Sequence, residues 1–163
     1  FSEQESWLNR LDEFPNLIIT QTLSKAYGMA GIRLGICYAS KEIINVLNAI
    51  KPPYNVNELT QKHALKQLSE YEKFNSQITE LKASREQLVH DLEKVNFIEK
   101  VYPSDANFLL IKVDDANYRY QQLIENKIVI RNRNNQPLCE NCLRISVGTN
   151  TENELLIKTL QQL

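Results

Sequence analysis

Ser24-Lys25-Ala26-Tyr27-Gly28-Met29-Ala30-Gly31-Ile32-Arg33-Leu34-Gly35 gathers three of the chain's four glycines around an amine and a guanidinium eight residues apart. Upstream, Leu17-Ile18-Ile19-Thr20 is a short apolar run that reads as a buried strand, and residues 34–39 read as another. The first strand then delivers Ser24 and Lys25 to its carboxyl end, where open α/β sheets bind ligands. An economical reading lets the lysine condense with an aldehyde while the arginine and nearby hydroxyls hold a phosphate. The glycines allow close backbone approach and turns closed to other residues. From spacing alone, a surface lysine in a flexible loop fits equally well.

The surrounding pattern alternates strands and helices. Residues 5–12 read as a short helix carrying Trp7, Leu8 and Leu11, ended by Pro15. Ser40 caps a helix with Ile43, Ile44, Leu47 and Ile50 on its inner face. Lys51-Pro52-Pro53-Tyr54 stops it and is the best candidate for a hinge or domain boundary. From about 57 to 95 the pattern is helical. Tyr71, Phe74, Ile78, Leu81, Leu88, Leu92 and Val95 form a stripe at 3-4 spacing, with Arg85 in the slot that breaks it. Such a stripe means a long helix packed on a domain rather than a coiled coil.

The period then changes. Residues 97–102 and 107–113 read as strands, Asp115 starts a helix to about Lys127, and residues 128–131 and 143–147 read as short strands. Thr151-Glu152-Asn153-Glu154 reads as a capping box opening a last helix that holds Leu156, Leu160 and Leu163. This order predicts a small α/β sandwich with helices over one face.

Composition narrows the possible partners. With 19 basic and 20 acidic residues the net charge is −1, which calls for neither nucleic acid nor an anionic membrane. No apolar run approaches the roughly 20 residues that span a bilayer, and the first residues lack the features of a signal peptide. A cytoplasmic location is the default. Cys37, Cys139 and Cys142 are too few for a disulfide scaffold. The lone C-x-x-C of Cys139 and Cys142 has no second ligand pair, so no metal is expected and the thiols read as reduced and structural. His63 and His90 lie in the helical stretch and are not catalytic candidates. Arg144 alternates with Leu143, Ile145 and Val147 and so points the other way, a pattern that by itself also fits a solvent-facing arginine. Arg131 ends Ile128-Val129-Ile130.

The glycine-bearing segment resembles the pyridoxal-phosphate lysine motif of fold-type I aminotransferases, S-K-x-x-G-x-x-G-x-R-x-G, with every fixed position filled. The similarity runs on through Tyr54-Asn55-Val56-Asn57 to Leu143-Arg144-Ile145-Ser146-Val147-Gly148-Thr149, essentially the whole chain. Gln21-Thr22-Leu23-Ser24-Lys25-Ala26-Tyr27-Gly28 and the pair Arg131 and Arg144 look most like histidinol-phosphate aminotransferases.

The resemblance implies an α/β fold comprising the end of the fold-type I large domain (1–55), an interdomain helix region (56–80) and the small C-terminal α/β sandwich domain (81–163). It implies pyridoxal 5'-phosphate as cofactor, with Lys25 its Schiff-base lysine and the acid/base for the proton shift. Arg33 would pair with the cofactor phosphate, since a guanidinium meets phosphate through two bonds where lysine cannot. Ser24 and Thr22 resemble the hydroxyls completing that site, although Thr22 also fits as a plain strand residue. Arg144, with Arg131 as its partner, would anchor the anionic group of the substrate, the phosphate of histidinol phosphate or a carboxylate of glutamate and 2-oxoglutarate. Tyr54 and Asn55 either reach an active site, that of a neighbouring subunit in a homodimer included, or only shape the hinge.

In the family, the acidic partner of the pyridine nitrogen and the tyrosine near O3′ lie in an Asp-Glu-Ala-Tyr motif that would stand shortly before Phe1. The chain is therefore expected to be the C-terminal part of an enzyme, inactive by itself. A threonine-phosphate decarboxylase shares the lysine motif and the phosphate-binding arginines. A non-catalytic binding or assembly domain is the alternative from another class, but it would have no chemical reason to keep Lys25, Arg33 and Arg144.

Overall fold

An antiparallel hairpin, β1 (Ile18–Thr22) paired with β2 (Gly35–Ala39), holds the glycine-bearing segment as its loop, and the ladder closes at Thr22 opposite Gly35. The computed structural model describes residues 1–163, the side chain of Tyr71 excepted, so its expected place in the helical stripe lies outside the described residues. The chain forms two compact units, residues 3–76 and residues 77–163 with the terminal pair 1–2. The α/β class expected from the sequence holds.

In the first unit, the short helix expected at residues 5–12 is a 3-10 helix at Trp7–Glu13, capped by the Ser6 hydroxyl. Arg10 lies against the rings of both Trp7 and Phe14, and Pro15 leaves no room for further turns. The two strands are not buried as expected; Ile18 is half exposed, and the sheet of this unit has only β1 and β2. Ser40 caps α1 (Lys41–Ile50) as anticipated. Its apolar stripe outruns that sheet, leaving Ile43 and Ile44 half-buried but Leu47 and Ile50 exposed. The helical stretch divides into α2 (Glu58–Leu68), capped by Asn57, and α3 (Tyr71–Leu92). The break follows from Ser69, whose hydroxyl turns back onto the Lys66 carbonyl at 2.7 Å.

The second unit is a four-stranded antiparallel sheet in the order β3 (Ile98–Val101), β4 (Phe108–Val113), β6 (Cys142–Ser146), β5 (Arg131–Asn132). Leu109, Ile111 and Val113 of β4 and Leu143 and Ile145 of β6 point to one face. There they form one core with Leu88 and Leu92 of α3, Leu123 of α4 (Ala116–Glu125) and Leu156 and Leu160 of α5 (Asn150–Leu160). Phe108, Leu110, Arg144 and Ser146 alternate with these residues and belong to the opposite face. Arg85 breaks the α3 stripe because its guanidinium donates to the Ala106 carbonyl at 3.0 Å. Arg119 stacks on Phe97 and donates twice to Asp114, and those bonds hold the Asp114 carboxyl below its usual range.

Boundaries in this unit differ from expectation, and Leu163, expected in the last helix, lies beyond its end at Leu160. The strand foreseen at 128–131 is only Arg131–Asn132. Lys127 turns left-handed and Ile128 N–H returns to the Leu123 carbonyl at 2.8 Å, so Ile128 completes the cap of α4 and the ladder starts only at Arg131. The last helix is capped by Thr149, not Thr151. Both Thr149-x-x-Glu152 and Thr151-x-x-Glu154 have the required spacing. The earlier pair closes because Gly148 leaves room for the Glu152 carboxylate, which a Cβ there would meet at 2.9 Å. No helix among the described residues is long and apolar enough to cross a membrane.

Candidate active site

The end of β1 and the loop that joins it to β2 carry Thr22, Ser24, Lys25 and Arg33. Leu23 N–H donates to the Leu34 carbonyl at 3.2 Å, adding one rung past Thr22, and Met29 N–H donates to the Leu23 carbonyl at 2.9 Å. Leu23 and Met29 are buried, so the loop is pinned from within while Thr22, Lys25 and Arg33 stay exposed. Ser24 N–H is received by the Thr22 hydroxyl at 3.1 Å. Gly28 adopts φ +65, the left-handed turn that bends the loop back. Tyr27 packs edge-on against Phe74, and the Thr60 hydroxyl of α2 donates to the Ile32 carbonyl at 3.4 Å.

Arg33 is strained. It sits at φ 54 and ψ 43, the left-handed region, with one Nη donating to the Ala30 carbonyl at 3.0 Å. A non-glycine residue held there points to a constraint beyond local packing. Neither Lys25 nor Arg33 forms an ion pair among the described residues. Two unneutralised cations and two hydroxyls on one pinned loop are a donor set that fits a phosphate attached to an aldehyde.

The second cluster is in the other unit. β5 and β6 set Arg131 directly opposite Arg144. Like charges facing each other across a ladder destabilise it unless an anion lies between them. Arg131 is exposed and Arg144 half-buried, with the Arg144 Nε buried and without a hydrogen-bond partner. Beneath its guanidinium, 5.0 Å away, lies the ring of Phe108. Sequence reasoning did not single out Phe108, because only the strand register brings it under Arg144. Tyr54, in the first unit, is 97% exposed and at φ 58. His63 and His90 are exposed, and the three cysteines are free. Burial pushes the Cys142 thiol pKa up.

A family model for aminotransferase class I and II matches residues 2–160. The chain belongs to the class I and II aminotransferases. This aminotransferase chain is 64% identical over 163 residues to the histidinol-phosphate aminotransferase of Flavobacterium johnsoniae, covering 100% of itself and 47% of that protein. Among solved structures it is similar to the histidinol-phosphate aminotransferase from Clostridium acetobutylicum. That match has a TM-score of 0.88 and 25% identity, over 96% of this chain and 48% of the other. It is also similar to the histidinol-phosphate aminotransferase from Sinorhizobium meliloti, solved in complex with pyridoxal-5'-phosphate. There the TM-score is 0.77 and the identity 25%, over 91% of this chain and 41% of the other. The chain spans about half the length of the curated relatives it matches.

Proposed function

We propose that this chain is part of a pyridoxal-phosphate-dependent histidinol-phosphate transaminase, exchanging an amino group between histidinol phosphate and 2-oxoglutarate in histidine biosynthesis. The observation that carries the substrate assignment is the pair Arg131 and Arg144, facing each other across β5 and β6 without a carboxylate partner. One cationic pocket of this kind accepts a phosphate and a carboxylate in turn, as a ping-pong reaction requires. The relatives at 64% and 25% identity support the same reading.

When bound, pyridoxal phosphate supplies an electron sink for the carbon that loses its proton. Lys25 would hold the cofactor's aldehyde carbon, and its free amine would be the acid/base that moves the proton from the substrate Cα to C4′. Arg33 would hold the cofactor phosphate, with Ser24 and Thr22 adding hydroxyls. Arg144 and Arg131 orient the anionic end of the substrate, and Tyr54 is a further substrate-binding residue, in its own or a neighbouring subunit. In this reading residues 1–55 close the large domain, 56–80 link it, and 81–163 form the small domain of a cytoplasmic homodimer.

Kinetics of the full-length enzyme with histidinol phosphate and 2-oxoglutarate test the reading. Arg144→Ala should damage both half-reactions, since loss of a guanidinium from a desolvated anion contact costs about 2–5 kcal/mol. Arg131→Ala should harm the phosphate substrate more than glutamate. Unchanged kinetics for both substrates in Arg144→Ala, or release of carbon dioxide from threonine phosphate in place of transamination, would refute it.

A further inference from the structure

Phe108 has no role in the chemistry above, yet it touches the arginine on which that chemistry depends. β4 and β6 pair Phe108 with Ser146 and Leu110 with Arg144. Phe108 and Arg144 are therefore diagonal neighbours on one face, within reach for an aromatic ring and a long side chain. The guanidinium carbon lies 5.0 Å from the ring centre, inside cation–π range. The Arg144 Nε is buried without a hydrogen-bond partner, and a buried polar atom in that state requires an explanation. Other arginines of the chain are oriented by oxygen atoms: Arg10 by Glu13, Arg85 by the Ala106 carbonyl, Arg119 by Asp114. At Arg144 the orienting contact is a ring.

We propose that Phe108 is a positioning residue of the anion site, fixing the plane of the Arg144 guanidinium while leaving its charge unneutralised. The inference rests on the assignment of Arg144 as the substrate's anion anchor. Chemistry favours a ring in this role. A carboxylate in its place would cancel the positive charge and occupy two donors of the fork. An aromatic face attracts the cation through its quadrupole and takes up no N–H. An arginine that receives a tetrahedral phosphate in one half-reaction and a planar carboxylate in the other thus keeps its donors for whichever arrives. The ring also opposes the repulsion from Arg131 directly across the ladder, which would otherwise push the guanidinium aside while the site is empty of anion.

Calorimetric binding of two unreactive probes, inorganic phosphate and glutarate, to the full-length, cofactor-loaded enzyme tests this. The variants are F108L, F108Y, R144A and the double variant F108L/R144A. F108L should weaken both probes by about tenfold, and F108Y, which keeps the ring, should stay within about twofold of wild type. F108L should add nothing in the R144A background, because a residue acting through Arg144 has nothing left to position. If F108L fails to fold, F108M removes the ring at similar volume and carries the same expectations. Wild-type affinity in F108L, or equal weakening with and without Arg144, overturns the role of Phe108 and leaves Arg144 as anchor. Unchanged affinity in R144A overturns the anchor assignment itself.

Discussion

Arg33 is the residue at which stability and function pull apart. Its left-handed backbone is disfavoured for a side-chain-bearing residue by roughly 1–2 kcal/mol. Glycine would relieve that strain and lose about 0.5–1 kcal/mol to its own freedom in the unfolded chain. Arg33→Gly should therefore melt at or slightly above the wild-type temperature. The same substitution removes the proposed phosphate ligand. Borohydride reduction and peptide mapping of the full-length enzyme should find the pyridoxyl group on Lys25 in both proteins, with the variant needing a higher cofactor concentration to saturate. A label on another lysine, or equal saturation, would remove Lys25 or Arg33 from the site. Both residues could be proposed from the sequence because their motif is local, with strand, loop and strand consecutive, and because it matches a family pattern. Spacing alone left a surface lysine in a flexible loop equally open. Phe108 was not legible there, because it stands 36 positions before Arg144 and only the β4–β6 register joins them.

Among the elements, helix starts followed side-chain chemistry that the sequence displays. Ser40, Asn57 and Asp115 each accept a backbone N–H of the first turn of their helix. Where two signals of equal spacing overlap, local pattern cannot choose, and the choice of Thr149 over Thr151 depends on the room left by Gly148. A paired substitution makes the distinction measurable. Thr149→Ala should destabilise the chain by about 1 kcal/mol, the usual loss for a helix cap, and Thr151→Ala should leave it nearly unchanged. Thermal melts showing the reverse would move the start of α5 by two residues. The shortening of β5 has a similar origin. Ile128, Val129 and Ile130 have the composition of a strand. The left-handed turn at Lys127 uses the first of them to close α4 and sends Ile130 into the core.

At the scale of the whole chain, the two units differ in how much core each possesses. In residues 77–163 the helices α3, α4 and α5 and alternate residues of β4 and β6 meet in one continuous buried cluster. In residues 3–76 the buried apolar side chains among the described residues are Leu23, Met29, Ala64 and Phe74, while Ile18, Val46, Ile50, Leu59 and Leu65 are exposed. Hydrophobic burial scales with area removed from water, so the second unit has far more to lose on opening than the first. Local opening governs amide exchange, and each factor of ten in protection corresponds to about 1.4 kcal/mol of opening free energy. Amides of β1 and β2 in the 163-residue chain should therefore exchange at least about a hundredfold faster than those of β4 and β6, read by deuterium uptake at neutral pH. The contrast should persist between strands of similar length, because the two ladders are both antiparallel and differ in what covers them. Uniform protection along the chain would mean that the Lys25 hairpin opens only with the whole molecule. In that case the exposed apolar side chains of the first unit would not mark a weak element, and its stability would have to come from something other than buried core.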